Sequence, residues 1–342
     1  MSFPATCACR SGRMTGPKPA RRTRSRARSD DGAMTAVNAR TLPAGDGCAR
    51  HRSRVPDQPA GGRTAMPIKT LALVIFDSEE APWLIARAAA MAAALDAHFI
   101  ALHPYTPMIY FDGLGADPMI YASVREWEEQ ESEKIRAIFD KEVKANGLLA
   151  EFRRHSALYG TEAFILSSTR AADLVVVGTN GSQTRSPDDC NLLERMIRNL
   201  GRPVLVLTPE AALEGGAERI VMGWSDTREA TRAAHDALAL ARSGAEIQLV
   251  SVISRAADAV PGLDSKDDFA TALDRLGYKV SVSERNATAD NRGETLIGAA
   301  QDFGADLLVA GAFGHSQLYD FVIGAVTRDL LYKSPLPVLL SK

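Results

Sequence analysis

The chain has 342 residues, 24% charged and 46% hydrophobic, with a formal net charge of −2, which is enough for about two domains of ordinary size. No apolar run approaches the roughly 20 residues that cross a bilayer as a helix, and the N-terminus lacks the apolar stretch of a secretory signal, so a soluble cytoplasmic protein is expected. The near-neutral total hides an asymmetry: residues 1–65 hold 13 Lys and Arg against 4 Asp and Glu, and the remainder is acidic.

Residues 1–65 include "RRTRSRARS" with Pro, Gly and Ser and few large apolar side chains, so burial cannot offset their ordering entropy. They are read as a disordered basic leader. "PIKTLALVIF" follows Met66 at once, which makes that Met a candidate start of translation. A nucleic-acid-binding arm and a targeting peptide are the weaker readings of the same composition. Cys7, Cys9 and Cys48 lie in the leader and Cys190 alone in the body, a distribution that supports neither a disulfide framework nor a zinc site.

Beyond the leader, short apolar runs alternate with longer amphipathic segments, the pattern of βαβ units on a parallel sheet. Strands are expected near 69–76, 98–103, 149–154, 173–178 and 203–207, then near 218–224, 246–252, 278–283, 306–311 and 336–341. Between the second and third of these stands "YASVREWEEQESEKIRAIFDKEVKANG", a long helix whose Val124, Trp127, Ile135, Ile138 and Val143 are expected to pack on its own sheet. The corresponding segment near 266–276 is shorter.

The second set of strands repeats the first. "ADLVVVGTNG" at 172–181 matches "ADLLVAGAFG" at 305–314, and "RPVLVL" matches "LPVLLS". The expected architecture is α/β: two tandem doubly wound domains, 66–211 and 217–342, each a five-stranded parallel sheet flanked by helices. The two closing strands, short and apolar, are the expected contact between the domains.

Gly311, Gly314 and Gly324 punctuate "GAFGHSQLYDFVIGAV" after the fourth strand of the second copy. The segment has no lysine of a phosphate loop and supplies only part of a dinucleotide fingerprint. An anion held here would rest on backbone N–H groups and a helix N-terminus. In this setting the spacing resembles the ATP-binding signature of the universal stress protein family, two residues then nine between glycines, followed there by Ser or Thr. With "ADLLVAGAFGHS", "GAVTRDLLYKSPLPVLL" and the tandem plan, the resemblance covers essentially all of residues 66–342.

The resemblance implies a nucleotide site in the second copy. Gly311, Gly314 and Gly324 match the phosphate-cradling glycines, Val326 and Val252 match positions lining the site, and Ser316 is expected to contact phosphate. Two positions depart from the family: Ala325 stands where Ser or Thr is usual, and Ser225, followed by Asp226, where an aspartate meets adenine and ribose. In the first copy Asp77, Gly178 and Gly181 match, but Asn191 stands at the third glycine beside Asp188 and Asp189, whose charges oppose a polyphosphate. That site is read as degenerate. No catalytic or metal-ligating set is identified, since His315 and Ser316 lack the elbow and oxyanion hole of a hydrolase.

The leading expectation is therefore an ATP-binding sensor or regulator of the stress response, with Mg²⁺ accompanying the nucleotide at most and with little or no hydrolysis. The second is an interaction module of the same fold that has lost nucleotide binding, and the third an enzyme of the wider adenine-nucleotide hydrolase-like group. The resemblance further implies an internal pseudo-dimer, open to further homo-oligomerisation and to regulatory protein partners, with no role for membrane or nucleic acid.

Overall fold

The computed structural model describes residues 67–104, 118–155, 160–179, 187–211, 213–253, 265–288, 290–313 and 324–342. The leader lies outside them. In chain order the first half contains β1 (Thr70–Val74), α1 (Ala81–Leu95), β2 (His98–His103), α2 (Pro118–Asn146), β3 (Ala150–Arg154), α3 (Thr161–Thr169), β4 (Leu174–Gly178), α4 (Pro187–Asn199) and β5 (Val204–Leu207). The second half contains β6 (Ala217–Gly223), α5 (Arg228–Ala237), β7 (Ala241–Ile253), α6 (Ser265–Arg275), β8 (Lys279–Asn286), α7 (Arg292–Phe303), β9 (Leu307–Gly311), α8 (Ala325–Lys333) and β10 (Val338–Ser341).

All ten strands join one sheet in the order β3-β2-β1-β4-β5-β10-β9-β6-β7-β8. Within each half the pairing is parallel. The halves meet through β5 and β10, which run antiparallel with Val338 opposite Val206 and Leu340 opposite Val204. This is the expected contact, and it makes the two domains an internal pseudo-dimer. Pairing removes two apolar edges; the outer edges, β3 and β8, instead carry Glu151, Arg153 and Arg154 or Lys279, Glu284 and Arg285.

The central strands β1, β4, β5, β9 and β10 read as continuous apolar runs because both faces are covered. Along β1 and just beyond it, Leu71, Leu73 and Ile75 enter one core with α1, α2, α5 and α6. Ala72, Val74 and Phe76 point the other way into a core with α3, α4, α7 and α8, as the two-residue period of a strand requires. Both cores run through both halves.

Local signals set the helix ends. Pro82 sits in the first turn of α1, whose end is closed by Asp96 at φ 49°, and α5 starts where the Thr227 hydroxyl accepts from Ala230 N–H at 3.2 Å. Two expectations are corrected. β7 begins at Ala241, well before 246, because Ala217 pairs with Ala241 ahead of a register shift. Trp127 does not pack on the sheet with Ile135: it is 59% exposed. α2 has 29 residues and so is about 43 Å long; Trp127 lies nearer its start, where with Glu128 and Glu131 it lines a cavity instead.

Candidate functional site

In the second domain the strand order reverses between β6 and β9, each connecting helix lying on the opposite face from there on. Such a switch point opens a crevice beyond the carboxyl ends of the strands. Here it holds a cavity of about 330 Å³. Gly223, Trp224 and Ser225 line it from β6, Val250 and Val252 from β7, Ala310, Gly311 and Phe313 from β9, Arg292 and Leu296 from α7, and Gly324 to Thr327 from α8.

The glycines of this crevice have different physical reasons. A Cβ on Gly311 would stand 2.5 Å from Ala230 N and from Glu229 C, so its lack of a side chain lets α5 pack against the end of β9. A Cβ on Gly324 would meet nothing within 4 Å. Gly324 is the N-cap of α8, at φ −64° and ψ 140°, with no side-chain cap. The first-turn N–H groups of a helix have no acceptors within it, and the residues carrying them here, Ala325 to Thr327, form the cavity wall. Among the described residues no packing contact demands glycine at 324.

Of the residues expected at this site, Gly311, Gly324, Ala325, Val326, Ser225 and Val252 come together around the cavity. Gly314 and Ser316 lie outside the described residues. Asp226 is absent from the described lining because its carboxylate accepts from Ser265 Oγ at the start of α6. Trp224 Nε1 donates to the same hydroxyl at 3.3 Å, and the indole stacks on Phe269 with centroids 4.6 Å apart. Ser225 Oγ lies 3.2 Å from Thr227 Oγ1, so the position expected to carry a carboxylate offers a hydroxyl.

Sequence reasoning missed Arg292, whose side chain is the one ionisable group among the described residues lining the cavity. Its signal was present: a cation opening a helix just after a strand, at the end of the sheet where α/β proteins bind ligands.

The matching crevice of the first domain has the opposite character. Its cavity, about 390 Å³, is lined by Asp77, Glu79, Glu128, Glu131 and Asp189, together with His103 and Trp127. Backbone donors of the connection between β1 and α1 are engaged by carboxylates of the same connection: Glu80 N–H donates to Asp77 Oδ1 at 2.8 Å. Glu80, 1% exposed, accepts from Phe76 N–H at 2.7 Å. Ser78 and Glu131 line the cavity together, and Lys134 donates to the Glu131 carboxylate at 3.2 Å. Burial pushes the Glu131 carboxyl up, but the bonds from Ser78 and Lys134 and the Lys134 charge hold it below the usual range. A Cβ on Gly178 would lie 2.9 Å from Glu80 Oε2, so Gly178 makes room for one of these side chains. Gly181 lies outside the described residues.

His103 is buried at the base of this cavity and donates from Nδ1 to the Ile75 carbonyl at 2.9 Å. Desolvation lowers its pKa, against the opposing pull of that carbonyl and of the charges on Glu131 and Asp77.

Comparison with known proteins adds a family to this geometry. Residues 68–207 and 216–342 each match the model of the Universal stress protein family. Universal stress protein Slr1230 of Synechocystis is 25% identical over 170 residues, 49% of this chain and 57% of that protein. The chain thus spans little more than half the length of that relative. The universal stress protein of Archaeoglobus fulgidus superposes with a TM-score of 0.59 at 17% identity, covering 80% of this chain and 96% of that one. A universal stress protein solved in complex with cAMP matches at 20% identity over 42% of this chain and 98% of that one, with a TM-score of 0.27.

Proposed function

This chain belongs to the universal stress protein family as a tandem member, and from that premise we propose that its second domain binds ATP in the crevice above β6 and β9. The cavity wall divides by chemistry. Val250, Val252, Leu296 and Ala310 present an apolar surface suited to a base, while the first turn of α8 and Arg292 present donors and positive charge suited to phosphates. The observation that carries the reading is Gly324: an uncapped helix start, with open space where a side chain would be, facing a cavity that contains a cation.

The same wall argues for binding over turnover, since its described residues include no carboxylate or imidazole to orient a water molecule. Mg²⁺ would accordingly enter on the phosphates. The protein then acts as a nucleotide-dependent regulator in the cytoplasm, signalling occupancy to protein partners; no described helix is long and apolar enough to cross a membrane.

Calorimetric titration of the full chain with ATP and with adenosine, at fixed salt and magnesium, tests the proposal. Saturation by ATP well below millimolar, with adenosine weaker, is expected. No saturation by millimolar ATP would overturn it in favour of a protein-interaction module, a reading favoured by the hydroxyl of Ser225 and the methyl of Ala325 at positions where the family resemblance leads one to expect stronger ligand contacts.

A further inference from the structure

Phe313 lines the second-domain cavity and yet is held from the other domain. Its φ is 65°, a left-handed conformation that is sterically costly for a bulky side chain and persists where surrounding structure enforces it. Phe313 is 8% exposed and belongs to the same buried apolar cluster as residues of α4 and α8. Over it, with the guanidinium carbon 4.2 Å from the centroid, stands Arg198 from the last turn of α4 in the first domain. Lys342 Nζ is 5.9 Å from the same centroid.

The approach of α4 to the second domain is not confined to this contact. Burial raises the pKa of Glu194, one turn before Arg198, while the charges of Arg328 on α8 and of Arg198 pull it down. One helix of the first domain therefore reaches the aromatic residue at the end of β9 and shares a buried apolar cluster with the helix whose N-terminus forms the cavity wall.

We propose that Arg198 is a positioning residue for the second-domain site: by a cation–π contact it holds Phe313 in its left-handed conformation, so that the first domain sets part of the second domain's affinity for nucleotide. This rests on the ATP reading above. A guanidinium over a largely buried ring is a favourable interaction, and a side chain that closes a cavity wall must be fixed before the ligand arrives if its ordering is not to be charged against binding.

The test is ATP titration of the full chain carrying Arg198→Met, which keeps the aliphatic stem and removes the charge, and Arg198→Lys, which keeps both. Arg198→Met should weaken ATP binding about threefold to tenfold, and Arg198→Lys should restore it to within about twofold. In a Phe313→Leu background Arg198→Met should add little, because its target is gone. A purely structural role predicts a lower unfolding midpoint with unchanged affinity, and that result overturns the proposal, as does a Lys variant as weak as the Met variant or full additivity with Phe313→Leu. If the unmodified chain fails to bind ATP, the nucleotide reading itself falls and this inference with it; if the unmodified chain binds and Arg198→Met binds equally, only the inference falls.

Discussion

Two crevices occupy equivalent places on one sheet, and they differ in the charges of their walls. In the first domain the chain supplies its own anions: Asp77, Glu79, Glu128, Glu131 and Asp189 line the cavity, and the first turn of α4, the counterpart of α8, carries Asp188 and Asp189. In the second, the start of α8 is uncapped, and the described lining holds a single charge, the cation Arg292. Like folds thus diverge in the charge of their crevices through a few side chains, because a cavity of several hundred Å³ takes its electrostatic sign from the handful of charges in its wall.

The largest effect expected from perturbing this comparison is on stability. Gly311→Ala would force a Cβ against the backbone of Glu229 and Ala230 at 2.5 Å, and should cost about 3 kcal/mol in urea unfolding. Gly178→Ala should cost less, since its obstacles are the side chains of Glu80, Leu84 and Trp83, which have freedom to turn.

Next comes Gly324→Asp. Asp is a favourable N-cap and meets no obstacle at this position, so stability should hold or rise slightly, while ATP affinity should drop at least about tenfold, or roughly 1.4 kcal/mol. Asn191→Asp, the corresponding change in the first domain, should leave affinity unchanged; if it proves the damaging one, the roles of the two domains are reversed. A smaller loss, about fivefold for ATP with adenosine unaffected, is expected for Arg292→Met, read by the same titration.

The smallest effect isolates the first crevice. Burial depresses the His103 pKa in the folded state, so as pH falls below about 6.5 the unfolded chain takes up a proton first, and stability declines. The contribution is complete above the unfolded value and is lost on acidification toward the folded one. Denaturant unfolding of His103→Gln across pH 5 to 7 should show a shallower slope than the unmodified chain; identical slopes would mean that other groups carry the dependence.

Most of the architecture was legible before any coordinates. Runs at βαβ spacing located ten strands, and the internal repeat located the duplication, because burial on both faces of a parallel sheet leaves an unbroken hydrophobic signature in its central strands. The glycine spacing marked the boundaries of two elements in the second domain: Gly311 ends β9 and Gly324 opens α8. Less legible was the division of labour between them. Spacing treats the two as one motif, whereas contacts show that Gly311 is needed by the packing of α5, while no described residue stands where a Cβ on Gly324 would be. Trp127 misled because a helical stripe records a period and not whether the surface beneath it is core or cavity.

The sequence by itself determined the fold class, the tandem repeat, the strand positions and the location of the candidate site, all of which follow from short-range periodicity and from local backbone requirements. Tertiary structure alone decided the rest. It turned the Asp226 carboxylate toward Ser265, put Arg292 into the cavity wall, brought Glu131 into one cavity wall with Ser78 and laid Arg198 of one domain over Phe313 of the other. Each of these joins residues far apart along the chain, and sequence periodicity carries no record of which distant side chains meet when two helices and a sheet edge close on one another.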